Sequence, residues 1–332
     1  MNKWLIILGV WCGLSFSCVQ AAAQSLRKVE RWLQPADSLH KKRFWISTGI
    51  GTAIYATASA GLWVAWYRDY PLTRFHFYND WGEWRHMDKV GHWFTAWNEA
   101  RWIYGGARWT GMNNRQATWT GAAVGFGLQA TIEIMDGFSQ IWGFSLADLA
   151  FNTLGAATFL AQQLTWEEQR IVWKVSNSYP NYPDIYVQAT DGGPPYSLRM
   201  RAEEIYGSGF GGRFIKDYNG MTVWASVNLA SFSSEKSALP PWLNIAVGYG
   251  AENMFGGYEN AWPAEAPRYV LSQDEFPRYS QFYLSPDIDL TRIPTRSRLL
   301  RLLFGVTNFL KIPAPAVEFN TLGQLRWHWL YW

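Results

Sequence analysis

Residues 88–104 read DKVGHWFTAWNEARWIY. Asp88, His92 and Glu99 stand at i, i+4 and i+11, so they lie near one face of an α-helix. The rest of the stretch is mostly aromatic and aliphatic. Two later stretches repeat the design. Gln129, Glu133 and Asp136 stand at i, i+4 and i+7, within the apolar neighbourhood of Ala117–Ile132. Asp148 and Asn152 stand at i, i+4, with Gly155 and Ala156 continuing that side. Each polar stripe sits among apolar residues. Polar groups inside an apolar bundle must find one another, because an unpaired one costs about 1–3 kcal/mol, more if charged. The pattern predicts helices whose ionisable side chains meet in the interior.

Outward from these stripes, Phe44–Tyr67 runs 24 residues without a charge. That length suits a bilayer crossing, and its Gly, Ala, Ser and Thr let helices approach closely. Lys41, Lys42 and Arg43 precede it. With an exported N-terminus they would sit outside, against the positive-inside tendency. Residues 44–175 are therefore expected to form about four main helices in a compact bundle, partly embedded in a membrane or lying against one. Residues 24–43 form a polar helical lead-in, and 176–196, with Ser178-Tyr-Pro-Asn-Tyr-Pro183 and Gly192-Gly-Pro-Pro195, a linker. Over 197–332 the period becomes 2. Val223, Ala225 and Val227 alternate with Trp224, Ser226 and Asn228, and Leu243, Ile245, Val247 and Tyr249 repeat the pattern. Residues 281–290, 316–322 and 325–332 are further strands, interrupted by one amphipathic helix over 297–311. The chain ends in Trp327, Trp329, Tyr331 and Trp332, aromatic like the last strand of an outer-membrane barrel. Five or six strands cannot close the usual minimum of eight. The expected fold class is α+β: an N-terminal, membrane-associated helical bundle, then a small antiparallel β-rich domain packed on it.

Residues 1–23, MNKWLIILGVWCGLSFSCVQAAA, have the form of a secretory signal peptide. Cys12 and Cys18, the two cysteines of the chain, both lie in it. The mature protein then has no disulfide and no thiol chemistry, which suits a bacterial envelope. Cys18 is a candidate for lipidation, although Ser15 stands where a lipobox usually has an aliphatic residue. A net charge of +3 over 332 residues excludes the basic footprint of a nucleic-acid binder. The 22 Trp outnumber Phe and Tyr. Trp concentrates where one end of a side chain is apolar and the other wet, as at membrane interfaces.

Three roles fit the polar stripes. The first is a structural network. The second is a site for a divalent metal ion, with His92, Glu133, Asp136 and Asp148 as candidate ligands, since inward carboxylates and histidines of bundles hold such ions. The third is acid–base catalysis, with His92 as base and a carboxylate behind it. Ser145 and Asp148 have capping-box spacing, which needs no catalysis. No specific hydrolase motif or phosphate-binding loop accompanies them.

Taken together, Asp88-Lys89-x-x-His92, Glu99, Glu133-x-x-Asp136 and Ser145-x-x-Asp148-x-x-x-Asn152-x-x-Gly155 resemble a signature of the YfiM-like envelope proteins. These form a domain-of-unknown-function family described as predicted periplasmic lipoproteins. The same order is similar to VanZ-like membrane proteins. The resemblance covers about residues 80–165. The second half looks like a tail of longer bacterial members, on Lys216-Asp-Tyr-Asn-Gly220, Trp242–Gly250, Asp287–Ile293 and Ile312–Ala316, a form that suggests a Bacteroidetes-type envelope protein. The resemblance implies a place rather than a reaction: exported, periplasmic and membrane-associated, with the outer membrane as the expected membrane. The expected function is a structural or interaction protein of the envelope, with membrane lipid and an envelope protein as partners. A metal-dependent, membrane-proximal hydrolase of lipid or cell-wall material is the alternative.

Overall fold

Helices fill the first half of the chain and an antiparallel sheet dominates the second, so the fold is α+β. The computed structural model describes residues 24–68, 70–233, 238–263 and 266–332. The signal-peptide segment, with Cys12 and Cys18, lies outside the described residues. Residues 24–32 form helix α1. Helix α2 (Lys41–Leu62) begins where the His40 ring accepts from the Arg43 amide, and it buries none of its residues. It passes at Leu62 into a single π-helical turn, Trp63–Tyr67. No helix among the described residues is long and apolar enough to cross a membrane.

The bundle proper is α3 (Met87–Trp109), α4 (Asn114–Asp136) and α5 (Leu146–Trp166). A capping box starts α4: Asn113 accepts from the Gln116 amide, and Gln116 accepts from the Asn113 amide. Ser145 caps α5 by accepting from the Asp148 amide at 3.0 Å. The three helices pack closely because small residues sit where they cross. A Cβ at Gly155 would lie 2.5 Å from the Trp93 carbonyl oxygen of α3. Trp97, Ala100, Ala122 and Phe159 form the apolar core, with Val172 of the first strand.

Six strands make the main sheet, in the order β1-β4-β5-β8-β9-β10. They are β1 (Ile171–Asn177), β4 (Met221–Val227), β5 (Leu243–Glu252), β8 (Tyr279–Ile288), β9 (Ala314–Asn320) and β10 (Leu325–Tyr331), and neighbours run antiparallel. Two short hairpins, β2–β3 (Tyr186–Val187 with Tyr196–Ser197) and β6–β7 (Ala261–Trp262 with Tyr269–Val270), stand apart. Helix α8 (Arg298–Thr307) is the amphipathic helix expected from the sequence. Helices α6 (Leu198–Tyr206) and α7 (Phe210–Lys216) were not expected. They are only nine and seven residues long and follow a Gly/Pro-rich stretch, so little periodicity marks them.

The alternation of the strands is as expected, but its sidedness is unusual. The face that holds Lys174, Ser176, Thr222, Ser226, Asn244, Gln281, Ser285, Asp287 and Glu318 is buried. Its polar groups satisfy one another: Lys174 Nζ lies 2.8 Å from Asp287 Oδ2, Ser226 donates to Asp287 at 2.6 Å, and His328 Nε2 lies 2.8 Å from Glu318. The sheet curls around this polar interior. The segment after α8 bridges to β1, as Val175 N donates to Phe309 O and Lys311 N to Val175 O. At the other edge, Trp332 Nε1 donates to the Lys311 carbonyl at 2.7 Å. Helix α3 packs on the opposite, outer face at β1, where the Trp93 and Trp173 rings are 4.3 Å apart.

Candidate functional site

The polar stripes do meet, at the N-terminal end of α3. The chain enters that helix through Trp84, Arg85 and His86, with φ of 48°, 49° and 65°. Left-handed backbone at non-glycine residues costs of order 1–3 kcal/mol each and persists only where the surroundings enforce it. The sheet half supplies that enforcement: Trp84 N donates to Gly257 O at 2.8 Å, and Arg85 Nε to Ser280 Oγ at 3.0 Å. The bend leaves Asp88 in the first turn of α3 rather than at its cap, and turns Lys89 inward.

Lys89 is fully buried, and its ammonium is ringed by carboxylates. Asp80 Oδ2 lies at 2.7 Å, Asp148 Oδ1 at 2.7 Å and Asp88 Oδ2 at 2.9 Å. Burial opposes its charge, but the carboxylates outweigh that and hold Lys89 above the usual lysine range. Ser145 serves twice. It caps α5, and its hydroxyl donates to Asp80 Oδ1 at 2.6 Å. Burial would raise Asp80, but hydrogen bonds to Asp148, Lys89 and Ser145 hold it below its ordinary value. Asp148 moves the other way, raised by burial, by the charge of Asp88 and by its hydrogen bond with Asp80.

The His92 ring divides the site. Its Nε2 faces Asp88 Oδ1 and Asp148 Oδ1, each at 3.7 Å. Its Nδ1 faces Asn152 Oδ1 at 3.1 Å and Glu133 Oε1 at 3.5 Å. Glu133 is 1% exposed, and neither of its carboxylate oxygens has a hydrogen-bond partner. Burial raises it to about 8, opposed by His92 and assisted by the neighbouring carboxylates. The side chains of His92 and Asp88 keep 16% and 21% exposure, so this end of the cluster opens to solvent.

Asp88, Lys89, His92, Glu133, Ser145, Asp148 and Asn152 are thus gathered at one place. Asp136 and Glu99 sit at its margins. Asp136 accepts from the Tyr67 hydroxyl at 2.6 Å, and burial pushes it up to about 7. Glu99 is pushed up to about 7 by burial, opposed by its hydrogen bond with Gln129. Three participants were not read from the sequence. Asp80 lies in an aromatic loop with no helical period to betray it. Tyr67 ends the charge-free run. Tyr218 reaches in from the second half and donates to Asp88 Oδ1 at 3.0 Å. It belongs to the Lys216–Gly220 stretch, in which nothing about the sequence pattern pointed to the bundle.

One ligand atom from each of Asp88, His92 and Asp148 falls within a 4.8 Å set. Two ligands about 2.1 Å from a tetrahedral ion stand about 3.4 Å apart. The two 3.7 Å separations at Nε2 come close to that. Four carboxyl groups, those of Asp80, Asp88, Glu133 and Asp148, face one ammonium and one imidazole here.

Residues 77–163 match the family model described as "Predicted periplasmic lipoprotein (DUF2279)". The matched span runs from just before Asp80 into α5. It therefore contains every member of the cluster except Tyr67 and Tyr218, and the sheet half stands outside it. Neither a curated protein nor a solved structure matches the chain.

Proposed function

We propose that this is an exported envelope protein, structural or interacting in role, whose helical half is fastened by a divalent metal ion between Asp88, His92 and Asp148. The orientation of His92 carries the reading. Metal-binding histidines present one ring nitrogen to the ion and the other to a carboxylate or carbonyl that fixes the tautomer. His92 turns Nε2 to two carboxylates and Nδ1 to Asn152 and the otherwise unpartnered Glu133. An imidazole with two carboxylates suits a first-row transition ion such as Zn²⁺ or Mn²⁺ better than Ca²⁺.

Elemental analysis of the purified protein then finds on the order of one such ion per chain. After chelation, titration with Zn²⁺ or Mn²⁺ restores it. At 100 times Kd, the ion raises stability by about 2.7 kcal/mol. His92→Ala abolishes uptake, while Glu133→Gln weakens it by about 10–100-fold. A folded wild-type protein that neither carries nor takes up these ions ends the proposal. The residual exposure of His92 and Asp88 favours one second reading, in which water reaches the ion and the centre hydrolyses lipid or cell-wall material. That reading requires turnover of phospholipid or peptidoglycan that stops on chelation and returns with the metal.

A further inference from the structure

The sheet is built inside out for a water-soluble domain. Antiparallel sheets in water turn their apolar residues to the core and their polar residues to solvent. Here the polar parity is buried. The alternate residues, Val247, Leu284, Phe319, Leu325, Trp327 and Trp329, are 52% to 81% exposed across the β5 to β10 side of the outer face. Helix α3 and the chain that enters it cover the outer face at β1 and at the Met221, Tyr249 and Ala251 end of β4 and β5, and leave the rest of that face bare. Polar side chains within and apolar ones without is the pattern of β-structure immersed in lipid.

A second element points to the same medium. Helix α8 has no buried residue. Leu300, Leu303 and Val306 are exposed on it, with Arg298 and Arg301 beside them. Apolar residues alternating with arginine are the composition of a helix that lies in the interface of an anionic membrane. Its place is fixed. Glu30 of α1 accepts from the amides of Arg298 and Leu299 at 2.6 and 3.2 Å, and α8 runs directly into the 309–311 segment that bridges to β1.

We propose that the outer face of β5, β8, β9 and β10, with the apolar side of α8, is a lipid-facing surface that seats the protein in the hydrocarbon layer of an anionic bilayer. The seven-residue strands β9 and β10 rise about 23 Å, or about 16 Å along the normal at a tilt of 45°, close to one leaflet of a core about 30 Å thick, and the ten-residue β5 and β8 reach further, to about 23 Å at that tilt. The arginines of α8 then meet the headgroups. The seat is independent of the metal centre, which lies in the helical half.

The test uses the full chain with Cys12 and Cys18 changed to serine and one cysteine introduced at Leu284 or Trp329, labelled with a polarity-sensitive fluorophore. Vesicles of phosphatidylethanolamine and phosphatidylglycerol are expected to shift the label's emission to the blue, and nitroxide-bearing lipid to quench it. A label at exposed Glu275 is expected to do neither. Leu284→Lys is expected to lower vesicle affinity about tenfold or more, and to leave metal uptake unchanged. Labels at Leu284 and Trp329 that ignore the vesicles overturn the proposal. So does a blue shift that follows protein concentration without lipid, because a second copy then covers the face. Should Leu284→Lys fail to fold, the quenching of the cysteine-labelled proteins decides alone.

Discussion

Lys89 shows how one side chain organises the interior. Its ammonium is fully buried, yet Asp80, Asp88 and Asp148 all approach within 2.9 Å. Removing water from such a group is costly, and only excellent geometry with several partners offsets the cost. Taking the ammonium away leaves two buried carboxyls, Asp80 and Asp148, and the partly exposed Asp88 facing one another. Lys89→Met should therefore destabilise the fold by about 3–5 kcal/mol, read from denaturant midpoints at unchanged m-value. A loss under about 1 kcal/mol would mean that the carboxyls relax by protonation alone and that the lysine does not organise them. Asp148, already raised by burial and by Asp88, is the group that would take up the proton.

At the scale of elements, the crossing of α3 and α5 depends on a missing side chain. Trp93 O would stand 2.5 Å from a Cβ at Gly155, and the backbone there cannot swing aside. Gly155→Ala should cost about 1–3 kcal/mol through overpacking. Gly127 on α4 meets nothing within 4 Å, so Gly127→Ala should gain up to about 1 kcal/mol from helix propensity alone. Equal effects at the two positions, measured by thermal unfolding, would contradict the packing. The helices and long strands were legible in the sequence because periodicity reports them directly: the stripes of 88–99, 129–136 and 148–155 fall on α3, α4 and α5, and the alternations on β4 and β5. Convergence of the stripes was legible too, since buried polar groups must pair. Periodicity does not report what comes from a loop or from afar, so Asp80, Tyr67 and Tyr218 were missed. Nor does alternation say which parity faces inward. Trp224 and Ser226 lie on the buried polar face and Val247 and Leu284 on the outer one, a choice of parity that depends on how the strands and the 309–311 segment come together.

Over the whole molecule, burying so many carboxyls sets the pH dependence of stability. Glu99 is raised from 4.5 to about 7 and Asp136 from 3.8 to about 7, chiefly by burial. Glu133 is raised further, to about 8. A raised carboxyl keeps its proton in the folded chain where the unfolded chain has lost it. Between the unfolded and folded values the native state thus binds more protons, and stability falls as pH rises. The contribution is whole below about pH 4 and is lost as pH climbs through about 7 to 8. This is opposite to the behaviour of salt-bridged surface carboxylates, and Asp80 and Asp88, held below their ordinary values, pull the other way only in acid. Glu99 separates the two trends, because burial dominates it, Lys89 does not act on it, and His92 opposes the rise only after its hydrogen bond with Gln129. In metal-free buffer, Glu99→Gln should match the wild type near pH 4 and exceed its stability by about 1–3 kcal/mol near pH 8. Denaturant unfolding across that range checks it. A wild type whose stability rises steadily from pH 5 to 8, with Glu99→Gln parallel to it, would mean that Glu99 is ionised in the native state and that the bundle interior is far wetter than its packing implies.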